Sequence, residues 1–401
     1  MRTGQTQLFI PGPTNIPEPV RQAMNVPMQD MRAPDFGELT LSLFDDLKRV
    51  LRTETGEVMI FPGSGTGAWE AAITNTLNPG DRVLMARHGQ FSMLWAEMAE
   101  RLGLEVEVID VAWGAGCPVN EISRRLGADR AGTIKAVFVT HNETATGVTS
   151  DVAGVRRALD DSFHDALLFV DGVSSIASID FRMDDWGVDL AVTGSQKGLM
   201  CPAGLGILGV SPKAMAASET ATMRRAYFEF SDMVRLNAGG HFPYTPPTQL
   251  FHGLKRSLDR ILRQEGLDSV IARHHRLAEA VRRGVAAMGL DLVAEHPSLA
   301  SDTVSAIRVP EGVDAGAVMR VAYEELNTSF GSGLGPLNGK VFRIGHLGDL
   351  NEAMVLTALS VAELALVRAG ADIRFGAGVG AAQAQFASDA GSAPRLTVAA
   401  E

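Results

Sequence analysis

Two residues near the middle of the chain have the types and the setting for covalent carbonyl chemistry. Asp171 closes the apolar run Leu167-Leu168-Phe169-Val170. Lys197 follows the run Leu190-Ala191-Val192 in the small-residue loop Thr193-Gly194-Ser195-Gln196-Lys197-Gly198. A lysine amine can hold an aldehyde and shuttle a proton, while a carboxylate on a pyridine nitrogen keeps that nitrogen protonated and the ring electron-accepting. That pair is what pyridoxal 5'-phosphate (PLP) chemistry requires. Taken singly, Asp171 reads as a turn cap and Lys197 as a solvated loop lysine; taken together, the two readings stand level.

A third feature tips the balance. Pro62-Gly63-Ser64-Gly65-Thr66-Gly67 follows an apolar run and precedes a helical pattern, so its backbone N–H groups can approach a phosphate at a helix N-terminus. No Lys-Ser/Thr follows it, as a P-loop requires, and the glycine spacing is not that of the dinucleotide fingerprint. A phosphate-bearing cofactor other than a nucleotide remains. His141-Asn142-Glu143-Thr144-Ala145-Thr146-Gly147 adds a fourth polar loop; such residues also make ordinary turns. His141 and Glu143 have no third ligand spaced near them, so no metal site is expected.

The elements that must position these residues are legible as a repeated pattern. Short apolar runs at 58–61, 83–85, 106–109, 136–139, 167–170, 190–192 and 206–210 alternate with amphipathic stretches such as 68–77, 91–102 and 152–161. Runs that do not alternate suit strands buried on both faces, hence an α/β fold with a mostly parallel sheet of about seven strands. Ligands in such sheets sit at the carboxyl ends of the strands, where all four polar loops fall. Apolar residues at helical spacing over 249–289 read as two helices separated near Glu265-Gly266, and a smaller α/β unit follows, with strands at 303–309 and 340–344. The expected division is an N-terminal arm and large domain over 1–260, a small C-terminal domain over 261–375, and a flexible Ala/Gly/Ser/Gln-rich tail over 376–401.

Composition bounds the partners. The 401 residues are 46% hydrophobic and 21% charged, with a net charge of −11, which fits a globular chain and disfavours nucleic acid or an anionic membrane surface. Two cysteines, Cys117 and Cys201, are too few for a disulfide framework and point to a reducing cytoplasm. No apolar run reaches the length of a membrane span or forms a signal peptide, so a soluble cytoplasmic protein is expected.

The motifs converge on a known family. Phe9-Ile10-Pro11-Gly12-Pro13-Thr14-Asn15, Gly63 to Gly67, His141 to Gly147, Val170-Asp171-Gly172-Val173-Ser174-Ser175, Gly194 to Gly198, Phe242-Pro243-Tyr244-Thr245-Pro246-Pro247 and Gly339 to Gly345 resemble, in order, the class V group of fold-type I PLP aminotransferases. The likeness is to serine–glyoxylate and related glyoxylate aminotransferases. The resemblance implies PLP as cofactor, Lys197 as the Schiff-base lysine and Asp171 as partner of the pyridine nitrogen. It implies that Ser64, Gly65, Thr66 and Gln196 bind the phosphate and that Thr144 lies near the phenolic oxygen. Tyr244 and Thr245 would reach the phosphate site of a neighbouring subunit, making a homodimer, and Arg343 would grip the substrate α-carboxylate through its bidentate fork. The chain departs from its relatives at one position: His88 precedes Gly89-Gln90 where they have a Trp or Phe that stacks on the cofactor, so either His88 or a nearby side chain such as Phe91 supplies that face.

The activity so implied is transfer of an amino group from a small amino acid, serine first, to glyoxylate, giving glycine and a 2-keto acid. Aspartate or alanine as donor, and a PLP lyase on the same fold, are the alternatives; aspartate would need a further cationic or donor-rich partner, for which Arg32, Arg87 and His346 are candidates. A cysteine desulfurase needs a nucleophilic cysteine well after the lysine, and none follows Cys201. A non-catalytic binding protein on this fold would be expected to have lost Lys197 or Arg343, and both are present.

Overall fold

A computed structural model describes residues 4–390. Its strands, in chain order, are β1 (Gln7–Phe9), β2 (Glu57–Gly63), β3 (Arg82–Arg87), β4 (Glu105–Asp110), β5 (Ile134–Thr140), β6 (Asn142–Glu143), β7 (Val148–Thr149), β8 (Leu167–Asp171), β9 (Leu190–Gly194), β10 (Gly204–Val210), β11 (Val304–Arg308), β12 (Thr328–Ser332) and β13 (Val341–Gly345). The seven apolar runs form one sheet in the order β2-β10-β9-β8-β5-β3-β4. Only β10 runs against its neighbours; the remaining pairs are parallel. Every residue of β8 and β9 is buried, the condition that a continuous apolar run without alternation satisfies.

Parallel register is what brings the polar loops together. Asp171 lies opposite Thr140 of β5 and Val192 of β9, so the loops that leave β5, β8 and β9 depart from the same edge. Two helices point their N-termini at that edge, Gly65–Thr76 after β2 and Gln90–Arg101 after β3. A column of rings fixes them to the sheet: Trp69 on Trp95 at 5.5 Å, Trp95 on Phe138 at 4.6 Å and Phe138 on Phe169 at 4.5 Å between centroids.

The second sheet has the order β1-β12-β13-β11. β1 pairs in parallel with β12, Gln7 opposite Thr328. The start of the chain, expected within the large domain, thus belongs by pairing to the smaller sheet. Three residues held at a sheet edge by backbone hydrogen bonds leave no periodic signature to read. The two helices expected over 249–289 are Thr248–Asp259 and Leu267–Ala287, joined by a wider π-type turn over Arg260–Glu265 and by Gly266 at φ 87°.

The flexible tail expected after Gly376 is corrected over its first part. Ala377–Ala390 is a helix lying along Leu267–Ala287, with Ala382 and Phe386 buried. The Glu363 carboxylate holds its start, accepting from the N–H groups of Gly376 and Gly378 at 2.7 Å each. Small residues let the helices approach closely: a Cβ on Gly378 would stand 3.0 Å from the Gly284 carbonyl oxygen. The same small residues erase the apolar stripe by which such a helix is recognised. Residues 391–401 of that expected tail lie outside the described residues. No helix among the described residues is long and apolar enough to cross a membrane.

Trp95 is fully buried in the ring column. Replacing it by alanine removes its contacts with Trp69 and Phe138 together and should destabilise the cofactor-free protein by about 3–5 kcal/mol. Urea unfolding monitored by far-UV circular dichroism measures this, and a loss below about 1 kcal/mol would show that the column does not carry the packing.

Candidate active site

At the carboxyl edge of the large sheet lies a cavity of about 330 Å³, a volume suited to a small cofactor with its substrate. Ser64, Gly65, Thr66, Thr144, Asp171, Gln196 and Lys197 all line it. Seven of the residues singled out from sequence are thus brought to one place from four separate loops. His88, Tyr244, Thr245 and Arg343 are not among the lining residues, whereas Phe91 is.

One end of the cavity is a cup of backbone donors. Ser64 caps Gly65–Thr76, its hydroxyl accepting from Gly67 N–H at 3.5 Å, and the first N–H groups of a helix have no partner within the helix. Glycine makes the close packing here possible: a Cβ on Gly65 would stand 2.5 Å from Val173 Cγ2, and one on Gly206 2.5 Å from the Ser64 carbonyl oxygen. Gln196 faces the cavity with its amide oxygen buried and unbonded. A half-turn of that amide exchanges acceptor for donor.

The ionisable groups are strongly perturbed. Burial pushes the Asp171 carboxyl up to about 7, opposed by the hydrogen bond it accepts from Val173 N–H at 2.9 Å, while the negative charge of Glu143 adds to the rise. Burial brings the Lys197 amine down to about 8, helped by the positive charge of Arg343 and opposed by Asp171. Its Nζ donates to the Pro11 carbonyl.

Arg343, on β13, is buried, and burial lowers it to about 10 against the pull of Glu143. A structural salt bridge would be the plain explanation for such an arginine, yet no carboxylate of the described residues pairs with it. Nε donates to the Ser332 carbonyl at 2.8 Å and Nη1 to the Thr144 carbonyl at 2.9 Å. Thr144 in turn donates through its hydroxyl to Ser174 at 2.8 Å, so the arginine is anchored to a cavity-lining loop of the large sheet.

His88 is buried with neither ring nitrogen hydrogen-bonded, and burial depresses it to about 4, which keeps it neutral. Tyr244 stacks on Tyr227 at 4.1 Å, and Thr245 is exposed. Of the three residues considered for a second substrate carboxylate, Arg32 is exposed, Arg87 pairs with Asp110, and His346 is engaged with Ser305 Oγ at 3.0 Å and the Asp302 carbonyl at 3.1 Å. None of them lines the cavity.

Glu143 is the residue whose place was not foreseen. Its fully buried carboxylate accepts from the N–H groups of Phe91, Ser92 and Ala145 at 3.0 Å each. It thereby caps Gln90–Arg101 and ties the loop carrying Phe91 to the loop carrying Thr144. Room for it comes from Gly89, where a Cβ would stand 2.2 Å from Glu143 Cγ. An acidic residue in a turn-like cluster signals none of this, because its partners are backbone N–H groups, two of them at the start of a helix distant in sequence.

A seven-stranded mostly parallel sheet with a smaller second sheet, and a lysine, a carboxylate and a helix N-terminus meeting at its edge, define the architecture of fold-type I aminotransferases. The pyridoxamine–pyruvate aminotransferase of Mesorhizobium loti superposes with a TM-score of 0.90 at 29% identity, over 97% of this chain and 100% of that one. Residues 8–333 match the class-V aminotransferase family, and the chain belongs to that family. It is 59% identical to the serine–glyoxylate aminotransferase of Hyphomicrobium methylovorum over 96% of this chain and 95% of the relative. It is 54% identical to the L-aspartate–glyoxylate aminotransferase of Paracoccus denitrificans over 96% and 97%.

The raised Asp171 carboxyl has a consequence for stability. In the unfolded chain it ionises near 3.9, so between about pH 4 and 7 the folded protein retains a proton that the unfolded chain has released, and stability is lost as pH rises through that window. Asp171→Asn should therefore stabilise the cofactor-free protein relative to wild type at pH 8, by roughly 4 kcal/mol at most, and by little near pH 4.5. Urea midpoints at the two pH values measure the difference; an equal effect at both would mean that Asp171 is not held protonated by its surroundings.

Proposed function

We propose that the protein is a PLP-dependent aminotransferase that transfers the amino group of a small amino acid, serine first, to glyoxylate. The observation that carries the reading is the meeting of Lys197, Asp171 and the Ser64–Thr66 helix start in one cavity, in a chain whose close relatives bear the names of glyoxylate aminotransferases. The donor set fits the cofactor. Backbone N–H groups and the Ser64 and Thr66 hydroxyls suit a phosphate, the unbonded Gln196 amide can complete that cup, and Asp171 suits a protonated ring nitrogen.

Lys197 is the anchor and Asp171 the counter-charge in this reading, with Phe91 and Trp69 as apolar walls. When bound, PLP supplies the electron sink for the pair left at the substrate Cα. Lys197 Nζ takes the Cα proton, a role helped by its lowered basicity, since a base works best near the operating pH. A cationic partner beside Asp171 brings its carboxyl back to the ionised form. Arg343 holds the α-carboxylate that amino donor and keto acid share, with the Thr144 and Ser332 carbonyls fixing its fork. Serine is favoured over aspartate because Arg32, Arg87 and His346 lie outside the cavity, leaving a second carboxylate without a partner among them.

The site is completed by a second copy of the chain in this reading. Tyr244 and Thr245 lie outside the cavity of their own chain, and the exposed Thr245 is available to a neighbour. Mixing two inactive proteins, Lys197→Ala and a Thr245→Ala-Tyr244→Phe double variant, should restore part of the activity if the phosphate site is shared between copies; no recovery in verified mixed dimers would rule the sharing out.

Single-turnover spectroscopy of the PLP-loaded protein with serine, aspartate or alanine, followed by glyoxylate, tests the reaction. Serine should convert the cofactor fastest, and glyoxylate should restore it with release of glycine. Arg343→Ala should weaken both half-reactions together by about 2–5 kcal/mol, with Arg343→Lys a poor substitute. Normal kinetics in Arg343→Ala with a lowered melting temperature would make the arginine structural, and elimination products from serine without glyoxylate would make the enzyme a lyase.

A further inference from the structure

The segment after β1 passes across the mouth of the lysine loop. It crosses the second sheet in close contact: a Cβ on Gly345 would stand 2.3 Å from the Ile10 carbonyl oxygen, and one on Gly331 2.8 Å from Pro11 Cδ. It is then fastened to the lysine loop. Thr14 N–H donates to the Gln196 carbonyl and the Thr14 hydroxyl to the Lys197 carbonyl, each at 3.1 Å. Between these fastenings the Pro11 carbonyl accepts from Lys197 Nζ, which has no other hydrogen-bond acceptor among the described residues.

Gly12 lies directly against the lysine stem. A Cβ there would stand 2.5 Å from Lys197 Cδ and 2.6 Å from both Cε and Nζ, and its φ of 112° belongs to backbone that L side chains rarely adopt. Space and backbone conformation thus both exclude a side chain at this position. Neither residue was given a role by its type, since a proline carbonyl and a glycine carry no functional group of their own.

We propose that Pro11 and Gly12 are positioning residues for the Lys197 amine, the Pro11 carbonyl holding Nζ whenever the amine is free and Gly12 setting the path of its side chain over the cavity. This rests on the reading of Lys197 as the reacting amine. A neutral amine has two N–H groups and one lone pair; giving one N–H to Pro11 restricts the lone pair to the two remaining tetrahedral positions. Because Pro11 also crosses beside β13, the strand of Arg343, one short segment fixes the base and the carboxylate grip relative to each other.

The test is Gly12→Ala in the full-length protein, with Pro11→Ala, which keeps the carbonyl, as its companion. With serine deuterated at Cα, Gly12→Ala should lose about 10²-fold in kcat and show a larger primary isotope effect, with KM little changed; Pro11→Ala should remain close to wild type. In the cofactor-free protein, the pH profile of reductive methylation of the Lys197 peptide, read by mass spectrometry, should shift in Gly12→Ala alone. Unchanged kcat, isotope effect and methylation profile in a folded Gly12→Ala protein would overturn the proposal, as would a change confined to KM. If Gly12→Ala does not fold, Thr14→Val releases one fastening with little change of shape and should raise the isotope effect to a smaller degree; no rise overturns the proposal equally. Borohydride reduction of the PLP-loaded wild type separates the two levels: a label elsewhere than Lys197 defeats the functional reading, whereas a label on Lys197 with normal Gly12→Ala behaviour defeats only the positioning role.

Discussion

Asp171 and Lys197 line one cleft, Arg343 is anchored to the Thr144 loop that also lines it, and all three are buried with no ion pair among the described residues. Burial drives each toward its neutral form: the carboxyl up to about 7, the amine down to about 8, the guanidinium down to about 10. Buried charge without a partner is among the most unfavourable arrangements a fold can maintain. A protein keeps it where a ligand brings the missing charges. A cationic ring nitrogen, an aldehyde and a substrate carboxylate are complementary to these three groups, one to each. The rest of the architecture can be understood as what is needed to hold them in place.

The holding is done largely by backbone. Parallel register sets Asp171 level with the ends of its two neighbouring strands, the ring column clamps the helices whose N-termini face the cleft, and the Arg343 fork rests on two carbonyl oxygens. Glu143 joins the loops on either side through three N–H groups. Backbone partners are stiff because their positions follow from secondary structure, so the geometry survives when a ligand leaves. They also give Lys197 and Arg343 neutral carbonyls rather than carboxylates as hydrogen-bond partners.

How far this was legible in the sequence depended on what each residue interacts with. Strands buried on both faces announce themselves as unbroken apolar runs, and the lysine, the carboxylate and the glycine-rich turn lie at the ends of such runs, so the sheet, Lys197, Asp171 and the Ser64–Thr66 turn could be read directly, while Thr144 and Gln196 were given places only by the family resemblance. Glu143 and the Pro11–Gly12 segment could not, since their partners are main-chain atoms that every sequence possesses. Ala377–Ala390 escaped because a helix that packs through Ala and Gly has no stripe, and β1 because a three-residue edge strand has no period. Phe91 rather than His88 lines the cavity, a distinction between near neighbours that depends on how the Gln90–Arg101 helix begins.

The parallel pairing of β1 with β12 also bears on how the chain comes to be assembled. Gln7 leaves the ribosome long before its partner Thr328. The large sheet can collapse in the meantime, because its strands all lie between residues 57 and 210, and domains of multidomain chains fold as units during synthesis. Until β12 arrives, the segment that will lie over Lys197 has no sheet to join. The fastenings of Thr14 to the lysine loop can form with the large sheet, whereas the pairing that fixes the other end of the segment waits for β12, so the two ends of the strap over Lys197 are secured at different times.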